Sequence, residues 1–400
     1  MEVMQEQYKD TKIGRIPKDW EVMQLNEITN YKSSNLSLNK LEENTGKYKL
    51  YGASGVLKGV DFYQTDNESF AIVKDGSGFG NLLWCDANSS ILGTLGRITN
   101  KESSDLKFCF YLAHTIKFKR YMSGSTIPHL YYKDYGNIKL PVPTLPEQQK
   151  IAAILSTVDE QINTTDKIIE KSKELKKGLM QKLFSEGIGH TEFKDTKIGR
   201  IPKEWEVIKL GEYGNLKNGA NFSTNDVGQG KIMINVKDLY NLKPFVKIVN
   251  ETRIKNINDS YLLNEGDLLF VRSSLVRDGV GYSAMYRDLG EPSVFSGFII
   301  RVRIASDKIF NPFIAYYLRS GIGRKNIISL SGTVTITNIG QDSLSLLPIP
   351  LTSLPEQQKI AAILSEADAK IEKEQTQKIQ LKQLKKGLMQ QLLTGKKRVA

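Results

Sequence analysis

Cysteine and histidine are scarce in this chain. Across 400 residues there are two cysteines, Cys85 and Cys109, and three histidines, His114, His129 and His190. No cluster of them has zinc-ligand spacing, so a structural metal is not expected. Long apolar runs are missing too. No stretch approaches the roughly 18 apolar residues of a membrane span, and the opening MEVMQEQYKD is polar and acidic rather than signal-like. A cytoplasmic protein is expected, with no membrane partner. Catalytic signatures are equally absent. There is no G-x-x-x-x-G-K-[ST] phosphate loop and no Pro-Asp…Glu/Asp-x-Lys pattern of nuclease type. DGSGFG (75–80) is followed by strand-like NLLW, so it reads as a hairpin turn rather than a cofactor cradle. Asn311-Pro312-Phe313 holds only part of an Asn-Pro-Pro-Phe motif and sits at a helix start, where capping explains it. The chain is expected to be non-enzymatic, with no bound cofactor.

What the chain does have is length, positive charge and a repeat. Its length suits two domains and a connecting element. Lys and Arg number 56 against 44 Asp and Glu, a formal net charge of +12, which favours a polyanionic partner such as nucleic acid.

YKDTKIGRIPKDW (8–20) recurs as FKDTKIGRIPKEW (193–205), with eleven of thirteen positions identical. LPEQQKIAAILS (145–156) recurs unchanged at 354–365, and LKKGLMQKLF (175–184) returns as LKKGLMQQLL (384–393), both offset by 209. Between these elements the sequences diverge, over about 26–144 and 211–353. Two shared frames therefore hold different contents, and two copies of so long a period exclude a solenoid.

After Pro146 and Pro355 the pattern turns helical. Ile151, Leu155, Val158, Ile162, Thr165 and Ile169 alternate steps of four and three, as do Ile360, Leu364, Ala367 and Ile371, with Leu381, Leu388 and Leu392 resuming the phase. This is a narrow coiled-coil seam on charged helices. Glu374 and Lys378 interrupt it, so the middle of the second seam is expected to be weakly packed. A wholly helical 146–184 would span about 58 Å, longer than a domain of this size. The repeat's pseudo-two-fold symmetry then requires antiparallel pairing, a ruler holding two domains apart.

The variable blocks carry short β-like runs bounded by turn residues. SFAIVKDGSGFGNLLW (69–84) and GDLLFVRSSLVRDGVGYSAMYR (266–287) read as strand, turn, strand. FSGFIIRVRIA (295–305) reads as a strand with Ile300, Val302 and Ile304 on one face and Arg301 and Arg303 on the other. FCFYLAHTIKF (108–118) and NPFIAYYLRSGIG (311–323) read as short helices. The fold expected is α+β: two β-rich domains and two long helices in an antiparallel coiled coil, with boundaries 1–145, 146–190, 191–354 and 355–400. Polar and basic loop residues are the candidate DNA contacts. In the first block these are Lys74, Asp75, Ser77, Lys117, Lys119, Arg120, Ser125, Thr126, Tyr131, Tyr132 and Lys133. In the second they are Lys217, Asn218, Arg272, Ser273, Ser274, Arg277, Arg324, Lys325, Thr333 and Thr335. Arginine can grip guanine through two bonds and asparagine adenine, while Lys, Ser and Thr anchor phosphates.

LPEQQKIAAILS, preceded by Pro-x-Pro at 141–143 and 348–350, resembles the start of the conserved helical regions in the specificity subunits of Type I restriction–modification enzymes. TKIGRIPKDWEV and TKIGRIPKEWEV are similar to the segments that open their target-recognition domains. Ser123-Gly124-Ser125-Thr126-Ile127 and Ser331-Gly332-Thr333-Val334-Thr335 resemble a segment found late in those domains. The resemblance implies a DNA specificity subunit that binds a bipartite, asymmetric site on double-stranded DNA. It implies two methyltransferase (modification) subunits and two restriction/translocase subunits as partners. S-adenosylmethionine, ATP and Mg belong to those partners. Two other readings stay open: a specificity subunit of a related system with a fused methyltransferase–nuclease partner, and a coiled-coil scaffold with two protein-binding domains. A self-sufficient methyltransferase is disfavoured by the missing catalytic motif.

Overall fold

Pro146 and Pro355 lie in the first turns of two long helices, Leu145–Glu186 of 42 residues and Leu354–Leu392 of 39, where a missing N–H costs nothing. The computed structural model describes residues 7–41, 43–76, 78–124, 128–333 and 337–399. It divides into two compact units, Met1–Asp166 with Gln377–Ala400, and Lys167–Thr376. Each long helix contributes one part to each unit. Among the described residues no helix is long and apolar enough to cross a membrane.

In the first unit the buried strand Ser69–Val73 lies between Leu95–Asn100 and Leu82–Cys85, with Thr29–Ser33 at the edge, all antiparallel. A smaller sheet has Tyr48–Gly52 antiparallel to Gly55–Val60 and parallel to Ser89–Ile91. The helix Leu106–Ala113, capped by Asp105, covers the main sheet. Its core joins Trp20, Phe70, Ile98, Phe108 and Leu112 to Ile151 and Leu155 of the first long helix and Leu392 of the second.

The second unit repeats that topology with unrelated residues. Its main sheet runs Gly214–Asn218, Ile299–Ile304, Leu268–Val271, Ser283–Met285. Its smaller sheet pairs Val227–Ile234 antiparallel with Arg253–Ile254 and parallel with Ser293–Phe295. Here Trp205, Phe270, Ile300, Phe313 and Tyr317 pack with Met180 and Phe184 of the first long helix and Ile360 and Leu364 of the second.

Within the first unit, Asp159 and Asp166 of the first long helix pair with Lys385 and Lys378 of the second. Rising numbers meet falling ones, so the helices are antiparallel there. The second unit shows the same sense, with Lys176 on Asp368 and the Ile188 N–H on Glu356. Of the seam residues, Ile151, Leu155, Val158, Ile162, Ile169, Ile360, Leu364, Ile371 and Leu392 are buried. Ala367, Leu381 and Leu388 are half-buried.

Two local readings need correction. The N-cap position before Asn311 is Phe310, and Asn311 does not cap. Its amide reaches the Gly266 carbonyl at 3.1 Å, while Pro312 lies in the first turn of the helix Asn311–Arg319. The strand predicted over 295–305 starts only at Ile299, and its arginine face is covered. Arg301 is buried, and Arg303 grips Asp267 through Nε at 2.8 Å and Nη2 at 2.7 Å. Asp267, just before the adjacent strand Leu268–Val271, stands opposite Arg303 and engages it there.

Candidate nucleic-acid interface

Each main sheet ends at the same edge in a glycine turn, and backbone hydrogen bonds place the two turns in register. In the first unit Gly80 N donates to Val73 O at 2.8 Å and Leu130 N to Lys74 O at 2.8 Å. In the second, Gly281 N donates to Val271 O at 2.7 Å and Ile339 N to Arg272 O at 3.0 Å. Lys74 and Arg272 are thus structural equivalents, each the first residue beyond the central strand. The divergent sequences give no alignment that would show this.

The late segments fold back against these turns. Met122–Ser123 pairs with His129–Leu130, and Asp75 bridges to His129, whose Nδ1 lies 2.7 Å from Asp75 Oδ1. Ser273–Ser274 pairs with Thr337–Asn338, which also pairs with Gly332–Thr333. The hairpin beside the turn is therefore common to both units. Ser77, Ser125, Thr126 and Thr335 lie outside the described residues, and only the backbone of Thr333 is described.

Around the first turn the structure brings together most of the named side chains. Gly80 has φ +82°, and a Cβ there would stand 3.0 Å from Phe118 Cβ, so the turn closes directly on the segment Phe118–Tyr121. Phe118 is buried, which leaves Lys117, Lys119 and Arg120 exposed around it. Tyr131 and Lys133 are exposed, with Lys133 Nζ 5.6 Å from the Tyr131 ring centroid. Tyr132 instead turns inward, stacking on Tyr31 at 4.5 Å, and burial raises the pKa of its hydroxyl. Lys74 is half-buried and lies 3.7 Å from Asp75.

Around the second turn Arg272 and Arg277 are exposed, and Ser273 and Ser274 half-exposed. Asn218 ends its strand at the same sheet edge, opposite Ile300. Lys217 is drawn away, donating to Ser260 O at 3.0 Å over the Tyr261 ring. Lys325 is exposed on the helix Gly321–Ser329. Arg324, on the same helix, holds the loop: its Nη2 donates to Asp278 O and Val280 O at 2.9 and 2.8 Å. Burial lowers its pKa. Beneath it Arg319 lies 3.8 Å over Tyr282 and bonds the carbonyls of Leu239, Asn241 and Ser283. Burial brings the Arg319 pKa down to about 10.

The sequence reading missed a polar frame that carries the repeat into three dimensions. Trp20 Nε1 donates to Glu147 at 2.9 Å, and Trp205 Nε1 to Glu356 at 3.1 Å. Tyr111 donates to Asp159 at 2.8 Å, and Tyr316 to Asp368 at 2.9 Å. The Asp105 N–H bonds Gln148 at 2.9 Å, and the Phe310 N–H bonds Gln357 at 2.8 Å. Lys385 pairs with Asp159 in one unit, and Lys176 with Asp368 in the other. The long-helix residues of every pair are related by the 209-residue offset, a signal that was available in the sequence. Among the described residues no group of His, Cys, Asp and Glu could hold a metal ion.

The sequence matches the family described as "Type I restriction modification DNA specificity domain" twice, over residues 17–174 and 202–383. It is 30% identical to the Type I restriction enzyme MjaVIII specificity subunit of Methanocaldococcus jannaschii, across 99% of this chain and 97% of that one. It is 26% identical to the StySPI specificity subunit of Salmonella potsdam, over 62% of this chain and 56% of the relative. The fold resembles that of a Type I restriction–modification S subunit from M. genitalium, with a TM-score of 0.62, 18% identity and coverage of 94% and 96% of the two chains. A chain from a structural study of type I R-M complex assembly gives a TM-score of 0.57 at 15% identity, covering 95% of this chain and 99% of that one.

Proposed function

Since the chain belongs to the Type I restriction–modification DNA specificity family, we propose that each unit reads one half of a bipartite, asymmetric DNA site on behalf of partner subunits that modify or cut it. A specificity subunit is not itself catalytic. One observation carries the division into halves: the two units share sheet topology and turn geometry but differ in what they present there. Lys74 and Asp75 in one stand where Arg272 and Ser273 stand in the other. A constant scaffold with variable tips is what reading two different base sequences requires. The surplus of cations over anions supports a DNA partner.

Methyltransferase subunits using S-adenosylmethionine and ATP- and Mg-dependent translocase–nuclease subunits, two of each, would complete a cytoplasmic complex. Leu175 and Leu384, related by the repeat offset, are both exposed on the long helices, which supports docking of two like partners. The boundaries 1–145, 146–190, 191–354 and 355–400 remain the functional division we favour, with the helices setting the spacer between half-sites. Deleting four residues from each helix removes about 6 Å, close to two base pairs at ~3.4 Å each. The spacer should then shorten with both half-sites retained, whereas altered half-sites would contradict the division of labour.

The decisive test is base-modification mapping in a methylation-free host expressing the chain with its methyltransferase partner. A motif of two unequal halves around a fixed gap, dependent on both genes, is expected. One unbroken motif would overturn the two-reader arrangement. Absence of any motif, with both proteins associated, would favour the protein-binding scaffold.

A further inference from the structure

Leu275 and Val276 are the two most exposed large hydrophobic residues among those described, at 87% and 67%. They occupy the tip of the second unit's turn, between Arg272 and Arg277, which are both exposed. No carboxylate lies between them, and Asp278 directly follows Arg277. Singly exposed aliphatic residues need no explanation, but two adjacent ones at a protruding tip keep unfavourable apolar surface in water.

The tip is held rather than loose. Val276 N donates to Ser274 Oγ at 3.1 Å, and Gly279 N to Val276 O at 2.8 Å, closing a tight turn. Tyr240 OH bonds Gly279 O at 3.1 Å, and Arg324 grips the carbonyls on either side. At its base the Arg272 N–H donates to the carbonyl of Phe298, another exposed apolar residue at 65%. A tip fixed in advance loses little entropy on binding.

We infer that Leu275 and Val276 form an apolar reading tip that enters the DNA between the phosphate-seeking Arg272 and Arg277 and touches bases of one half-site directly. The inference rests on the DNA-reading function proposed above. Charge complementarity selects the occupant: cations on both sides bring a phosphate backbone to each flank, and what lies between two backbones is base. Apolar side chains contact bases in two ways, against a thymine methyl in the major groove or as a wedge that unstacks a base step. The first unit has a glycine-rich turn at the equivalent place, so the device belongs to one half-site only.

The test compares the full chain, complexed with its methyltransferase partner, with a Leu275→Ser/Val276→Ser double variant on duplexes carrying the mapped site. Both residues are exposed, so an unchanged unfolding temperature is the folding control. Burial of one or two aliphatic side chains corresponds to a loss of about ten- to a hundredfold in binding or methylation. That loss should appear at one half-site, with an unchanged salt dependence because no cation is removed. Deoxyuridine in place of thymidine should reproduce it if a methyl is touched. Brightening of 2-aminopurine on binding, abolished in the variant, should report an unstacked step. A variant that methylates the same motif at the unmodified chain's rate would overturn the tip while leaving the DNA reader intact. So would insensitivity in both nucleotide arms. If the unmodified chain shows no salt-dependent DNA binding, the tip and the reading it rests on fall together.

Discussion

Lys176 Nζ lies 2.5 Å from Asp368 Oδ1, and the carboxylate, also bonded by the Tyr316 hydroxyl at 2.9 Å, is fully buried. The repeat-related pair, Lys385 with Asp159, has a carboxylate side chain 30% exposed. Removing one partner of a buried pair strands a charge, which costs about 3–5 kcal/mol. Asp368→Ala should destabilise by that amount, and Asp159→Ala by no more than about 2 kcal/mol. Combining Lys176→Met with Asp368→Leu should recover most of the loss, because the stranded charge is gone. Denaturant unfolding of the full chain, followed for each variant, checks the order.

Lys74 and Arg272 stand at equivalent backbone positions, so their substitutions should have parallel but separate effects. Arg272→Ala is expected to weaken binding and methylation through one half-site's backbone by about ten- to a hundredfold, lowering the salt slope by about 0.9 with the motif intact. Lys74→Ala should do the same through the other half-site. If either side chain reads bases instead, the motif relaxes at that half alone. Motif mapping combined with salt titration of each variant separates these outcomes, and loss of both halves from a single substitution would count against separate readers.

Glu356 accepts bonds from Trp205, His190, Thr352 and the Ile188 N–H. Burial pushes its carboxyl up, but those bonds outweigh burial and hold it below its ordinary value of 4.5. A carboxylate with a lowered folded-state pKa stabilises the fold above its unfolded value, and that stabilisation is lost as pH falls through the folded one. Glu356→Ala should therefore be less stable than the parent at neutral pH, by about 1–3 kcal/mol. The gap should narrow as the solution is taken below 4.5. Thermal unfolding of both chains across that range tests the sign, and a gap that widened in acid would refute it.

Cys85 and Cys109 are both buried, and burial pushes each thiol up to about 12. Thiolate is the reactive form, so neither should react with a thiol reagent in the native protein, while both should react on unfolding. Rapid native labelling at either position would show that its surroundings open.

The sequence by itself determined the repeat, the long helices, their antiparallel sense and the hairpin over 69–84. These follow from local periodicity and from identical segments recurring at a fixed offset, information carried by single positions and their spacing. Tertiary structure alone decided which loop residues are available. Arg324 and Lys217, read as loop contacts, and Arg303, read on a strand face, look equally available in the sequence. Asp267, the carbonyls of Asp278 and Val280, and Ser260 engage them. Each of those partners lies 36 to 46 residues away, and pairing over such distances is set by sheet order. The equivalence of Lys74 with Arg272 was hidden for the same reason: it is fixed by backbone hydrogen bonds, which two unrelated sequences can make equally well.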